Sequence, residues 1–193
     1  PCFAFGDPAL PGSLTADEPA FVSYNFTDNG TPAPFNSGDP GVPMPTILSK
    51  ASEVGTLYGV AFSKQAQKAF ASATLRRHCA LGPLGPGGIY LIDPFSGAAD
   101  KTDNFLDLDA IGISTYNHGG SYPPGPLANN TSPACKPPYD FIGSSAQRGL
   151  TGDPKAPSTD YAAGDQIGKL SLGDIDISDD GKYLYVVNLY DRK

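Results

Sequence analysis

Short apolar runs separated by Gly, Pro and polar links set the pattern of this chain, and the clearest of them lie between residues 57 and 108. Leu57-Tyr58-Gly59-Val60-Ala61-Phe62 is a strand-length apolar run. A polar link from Ser63 to Lys68 follows, and then a second run, Ala69 to Leu75. The loop Leu81-Gly82-Pro83-Leu84-Gly85-Pro86-Gly87 leads to a third, Gly88 to Asp93, and Pro94-Phe95-Ser96-Gly97 reads as a tight turn. Asn104-Phe105-Leu106-Asp107-Leu108 completes a set of four. Four consecutive antiparallel strands are the content of one β-propeller blade. The helix formers in Ser63 to Ala71 offer a competing helical reading, which the C-terminal pattern opposes.

That C-terminal stretch runs from Leu172 to Leu189. Ile175 and Ile177 alternate with Asp174, Asp176 and Ser178, the period of a strand. Asp180-Gly181 is a hairpin signal, because Gly accepts positive φ without steric cost. Tyr183, Tyr185, Val187 and Leu189 then share one face, and Leu184 and Val186 the other. A strand apolar on both faces predicts cover on both sides, as between stacked sheets. The two hairpins also overlay. Gly59 to Ser63 falls on Asp174 to Ser178, and Lys68 to Leu75 on Lys182 to Leu189, with links that differ by one residue. This reads as an internal repeat.

The expected organisation is an all-β chain, a partial β-propeller of antiparallel four-stranded blades with long Pro/Gly-rich loops. Residues 1–50 form an N-terminal extended segment with short strands, Cys2 to Phe5 and Phe21 to Phe26. Residues 51–112 form the first blade. Residues 113–169, with eight prolines between Pro123 and Pro157, form a long loop excursion or a degenerate blade. Residues 170–193 begin a further blade. A propeller needs at least about four blades, so the remaining ones are expected from the same or another chain. The start at Pro1 reads as that of a processed or excised piece.

Composition narrows the function. The chain has 193 residues with 23 Gly, 20 Pro and a net charge of −7. An acidic chain whose one basic cluster is Arg76-Arg77-His78 is not equipped for a nucleic-acid backbone. No apolar run approaches the roughly 18 residues of a membrane span, so membrane insertion is not expected. The 10% aromatic content argues against a disordered tail. Three cysteines leave the pairing open: Cys79 and Cys135 are the candidate disulfide, Cys2 is odd or the one that pairs, and three free thiols are the other reading. Sequons stand at Asn25, Asn129 and Asn130.

Two segments carry a resemblance. Leu57 to Asp93, with its Gly82-Pro83-Leu84-Gly85-Pro86-Gly87-Gly88 loop, and Leu172 to Leu189 together resemble the N-terminal propeller region of large bacterial secreted or surface proteins that often carry SdrD B-like modules. The run Ser178-Asp179-Asp180-Gly181-Lys182-Tyr183-Leu184-Tyr185 also resembles YVTN-type and lactonase-like propellers generally. The resemblance implies an extracellular or cell-surface location of bacterial type, and it carries over no catalytic residue.

Candidate chemistry is sparse. Asp174, Asp176 and Asp179, with Asp180, are the candidate metal ligands, since Ca²⁺ takes several carboxylate oxygens; a solvated strand edge and turn is the alternative. No other cofactor is expected. Asp107 and Asp109 alternate around Leu108 and could be a carboxylate pair. Tyr116, His118 and Tyr122 mark a candidate ligand loop, and His78 a polar rim. No Gly-x-Ser-x-Gly elbow, phosphate loop or dinucleotide fingerprint occurs. The expected function is a structural or adhesive surface module that joins further blades, copies of itself, or a surface glycan or protein. A metal-dependent lactonase-like hydrolase and a glycan- or peptide-binding propeller are the alternatives.

Overall fold

The computed structural model describes residues 4–27, 45–98, 101–120, 140–156 and 158–192. The chain is predominantly β. Strands β1 (Pro19–Ser23) and β2 (Thr46–Lys50) form an antiparallel pair, and a four-residue helix, α1 (Ala51–Val54), follows. β3 (Leu57–Ser63), β4 (Lys68–Ala73), β5 (Gly88–Ile92) and β6 (Thr102–Asp107) form a four-stranded antiparallel sheet in sequence order. After a second short helix, α2 (Ala163–Gln166), β7 (Leu172–Ile177) and β8 (Leu184–Asn188) make a two-stranded sheet.

The four expected strands between residues 57 and 108 are therefore present. The helix formers around Lys64 to Lys68 make a hairpin loop instead. Propensity loses here to burial, because Ala69, Ala71 and Ala73 are buried on one face of β4 while Phe70 and Ser72 face the opposite side. Of the two N-terminal strand candidates, Phe21 to Phe26 is realised as Pro19–Ser23, and Cys2 to Phe5 falls largely outside the described residues. β2 lies next to the Pro-rich stretch and was not expected.

Three layers stack in chain order. On one face of the central sheet, Leu57, Ala69, Ala71, Ala73, Tyr90 and Ile92 pack against Ala20, Leu48 and Val54 of the first layer. The small alanines let β1 and β2 sit close. On the other face, Phe70, Ile89, Leu106 and Leu108 meet Leu172, Leu184 and Val186 of the third layer. β7 lies over β3 and β4.

The two hairpins share a register. Ser63 pairs with Lys68 across a loop from Lys64 to Gln67. In the third layer Ile177 pairs with Leu184, and the Ser178 amide donates to the Tyr183 carbonyl at 2.9 Å, closing a loop of the same length from Asp179 to Lys182. Gly181 sits in that loop at φ 69°. The overlay of Gly59 to Ser63 on Asp174 to Ser178 agrees with this register, but Lys68 corresponds to Tyr183 rather than Lys182. The correction moves every position of the second strand to the other face. It places Ala69 with Leu184 and Ala71 with Val186, residues that face the preceding layer in both cases.

The expectation of cover on both faces of Tyr183 to Leu189 is met on one. Leu184 and Val186 face the central sheet, whereas Tyr183, Tyr185 and Val187 are 63%, 59% and 43% exposed. Between residues 113 and 169 the described residues contribute no strand, only turns and α2.

Candidate functional site: an apolar cleft where the hairpins meet

The start of β3, the end of β4, the start of β7 and the end of β8 converge at one end of the stack. Gly59 makes this convergence sterically feasible: a Cβ there would lie 2.7 Å from the Ile175 amide nitrogen and 2.9 Å from the Asp174 Cα. The Ser72 hydroxyl joins the layers, accepting from the Gly59 amide at 3.0 Å and donating to the Gly173 carbonyl at 2.7 Å. Ser171 continues the seam, its hydroxyl accepting from the Leu75 amide at 2.8 Å and its carbonyl from the Leu189 amide at 3.1 Å.

Beside this seam lies a cleft of about 600 Å³. Phe5, Tyr58, Leu75, Ile167, Val187 and Leu189 supply apolar walls, and Arg76, Arg77 and Asp174 supply charge. Apolar area with guanidinium and carboxylate groups on its lining suits it to hold an amphipathic ligand. Among the described residues no nucleophile is paired with a base there.

One wall is fixed by a buried ion pair that local sequence pattern does not announce. Arg148 and Asp160, 1% and 0% exposed, lie in the Pro/Gly-rich excursion. Arg148 donates through Nε and Nη2 to the two Asp160 carboxylate oxygens, both at 2.9 Å, and through Nη2 to the Arg76 carbonyl at 2.7 Å. Asp160 also accepts the His78 amide. The pair thus ties the excursion to the turn after β4. Next to it, Cys79 is buried, and burial pushes its thiol pKa up to about 11. Cys135, its candidate disulfide partner, lies outside the described residues. His78 is more enclosed than a polar rim, with Nδ1 buried and no partner for it among the described residues.

Tyr116 and His118 of the candidate ligand loop come together, their rings 4.1 Å apart, and Phe141 lies 6.3 Å from Tyr116. Tyr122 lies outside the described residues. Asp109 anchors the loop: it accepts the Thr115 amide at 2.8 Å, the Thr115 hydroxyl, and a hydrogen bond with His118 Nε2 at 2.9 Å. Burial, then the nearby Asp109 and Asp107 charges, raise the Tyr116 pKa. Asp107 accepts the Asp109 amide at 3.0 Å, so these two carboxylates serve as loop anchors.

Of the acidic candidates, Asp174 and Asp176 lie on β7, each accepting the amide of the following residue, and Asp179 lies in the β7–β8 loop. Among the described residues no three His, Cys, Asp or Glu side chains gather as a metal would require. Among those residues too, no helix is long and apolar enough to cross a membrane. No family model matches the chain, and neither a curated protein nor a solved structure matches it.

Proposed function

We propose that this chain is part of a β-propeller that serves as an extracellular, cell-surface structural and adhesive module, of the kind found in bacteria. One observation carries the reading. The β7–β8 hairpin repeats the register of β3–β4 and lies on the face of the sheet that β3–β4 begins, with β7 against β3. Successive propeller blades stack in this manner, inner strand beside inner strand. The acidic composition and the Pro- and Gly-rich loops suit a soluble scaffold. The cleft at the convergence of the hairpins is the surface such a module would use to hold a partner.

The test is retention of labelled protein on a glycan array and on intact bacterial cells. Binding to either surface, weakened by Tyr58→Ala or Val187→Asp in the cleft, supports adhesion. Binding to neither, together with a protein that stays monomeric at all concentrations, overturns it. The close, tilted rings of Tyr116 and His118 favour a second reading, a glycan or peptide binder acting through that loop. Array binding lost on Tyr116→Ala but retained in the cleft variants identifies that reading instead.

A further inference from the structure

We infer that the cavity beside Tyr116 is a binding site for an acidic sugar, with Arg148 as the group that recognises the sugar's carboxylate. The inference rests on the glycan reading above and deepens it, adding the class of sugar and the cavity that selects it. Three observations converge on it.

The first is the donor count at Arg148, which lines this cavity of about 220 Å³. A guanidinium carries five N–H donors. Nε and Nη2 direct three of them, two to the Asp160 carboxylate and one to the Arg76 carbonyl. The two on Nη1 meet no acceptor among the described residues. The Arg148 side chain is only 2% exposed, yet Nη1 is not one of the sealed polar atoms, so its residual access is to the cavity. A charged donor held away from bulk water without an acceptor is costly, and an oxygen placed in the cavity removes that cost.

The second is the rest of the polar lining. The Arg148 amide donates to the Ser144 carbonyl at 3.0 Å and the Leu150 amide to the Ser145 carbonyl at 2.9 Å, which curls this segment so that Gly143, Ser144 and Ser145 border the cavity. The Gly143 amide, the Ser145 amide and the Ser145 hydroxyl donate to no described residue. Burial, then the Asp109 and Asp107 charges, raise the Tyr116 pKa, so its phenol stays a protonated donor. Among the described residues no acidic side chain lines the cavity, and Arg148 is its one cation. Convergent donors around a guanidinium suit an oxyanion. Arg148 already shares its charge with Asp160, so a carboxylate is favoured over a doubly charged phosphate.

The third is size and apolar lining. The volume is far above the roughly 30 Å³ share of one water and below the roughly 300–1,000 Å³ of sites for drug-sized ligands. It therefore takes more than a bare carboxylate and less than an oligosaccharide. Leu81, Pro86 and Ile142 offer apolar surface, beside the serine hydroxyls. A single sugar unit uses both, with its C–H face on the first and its hydroxyls on the second.

The experiment titrates the isotopically labelled full chain with glucuronate, glucose and acetate at neutral pH, and follows the Gly143 and Ser145 amides and Arg148 Nε by NMR. Glucuronate is expected to shift all three and to bind at least about tenfold more tightly than glucose or acetate, on the scale of charge-assisted hydrogen bonds. Ser145→Leu, which fills the cavity without touching the ion pair, is expected to weaken glucuronate at least about tenfold. The double variant Arg148→Met, Asp160→Leu removes the guanidinium without stranding a charge; folded by circular dichroism, it is expected to lose the preference for glucuronate over glucose. Acetate as tight as glucuronate overturns the sugar, and glucose as tight as glucuronate overturns the role of Arg148. Shifts at Tyr58 and Val187 of the cleft in place of Gly143 and Ser145 overturn the site. Array binding of neutral glycans through Tyr116 with no glucuronate preference overturns the inference and leaves the glycan reading standing; no binding on the array and none in the titration overturns both.

Discussion

Replacing Asp160 by Asn tests whether the excursion is a structural wall. The substitution keeps the size of the side chain and removes its charge. Arg148 then remains buried, with a neutral amide where two hydrogen bonds of 2.9 Å ended on a carboxylate. Breaking a buried ion pair from one side costs about 3–5 kcal/mol, because the remaining charge has lost its partner and cannot reach water. For 193 residues the unfolding entropy near the midpoint is about 0.4 kcal/mol/K. The expected fall in Tm is therefore about 8–12 °C, read by far-UV circular dichroism or calorimetry. Arg148→Lys is expected to rescue little, since an ammonium cannot span both carboxylate oxygens and the Arg76 carbonyl. The double variant Arg148→Met, Asp160→Leu is expected to lose much less than the two single losses added together, because it leaves no charge unpaired. A fall below about 2 °C for Asp160→Asn, under about 1 kcal/mol by the same conversion, would falsify the account.

Two further outcomes follow from the packing. Gly59→Val places a branched side chain where even a Cβ would meet Ile175 and Asp174 backbone, so the second and third layers must part; the expected cost is about 1–3 kcal/mol in a urea titration, and an unchanged midpoint would show that the layers do not touch there. Alkaline stability should fall in two windows. Burial raises the Cys79 thiol pKa to about 11 and the Tyr90 phenol pKa to about 12, so the folded state holds both neutral while the unfolded chain ionises them near about 8.5 and 10. The stability each contributes is complete below its unfolded pKa and lost as pH rises toward its folded one. Tyr90→Phe should flatten the decline between pH 10 and 12 relative to the parent chain, and parallel curves would refute the assignment.

How much of this was legible in the residues follows from what each feature depends on. The four strands of the central sheet could be read because Leu57 to Phe62, Gly88 to Asp93 and their neighbours carry their own apolar runs and end at Gly, Pro or polar links. β2 could not, because Thr46-Ile47-Leu48-Ser49-Lys50 is short and follows a run of prolines. The overlay of the hairpins slipped by one residue for a definite reason. Matching Lys68 to Lys182 is a coincidence of identity, whereas register is set by the loop that closes the hairpin. The loop around His118 stood out as a cluster of aromatics, but its anchor did not. Nothing local to Asp109 indicates that it holds Thr115 and His118 rather than partnering Asp107. Arg148 and Asp160 are the extreme case, two charged residues in loop sequence whose burial exists only because the turn after β4 supplies the Arg76 carbonyl and the His78 amide.

That turn explains why the two ends of the stack differ. Two segments hold it: Gly6 bonds to His78 and Ala80, and Arg148 and Asp160 clamp it from the excursion; the Asp7 amide, donating to the Thr151 carbonyl at 2.7 Å, ties these two segments to each other. Leu75, Arg76, Arg77 and Cys79 therefore present a fixed wall to the cleft, and Phe5 is carried into it by the same bonds. The outer face of the third layer has no such clamp among the described residues. Tyr183 and Tyr185 of that face are exposed. Fixed in this way, the Leu75 to Cys79 wall needs no rearrangement to take the ligand that the adhesive proposal calls for. If so, Asp160→Asn should weaken ligand retention by the proposed cleft site as well as lower the Tm, whereas Tyr183→Ala, exposed and outside the cleft lining, should leave retention nearly unchanged.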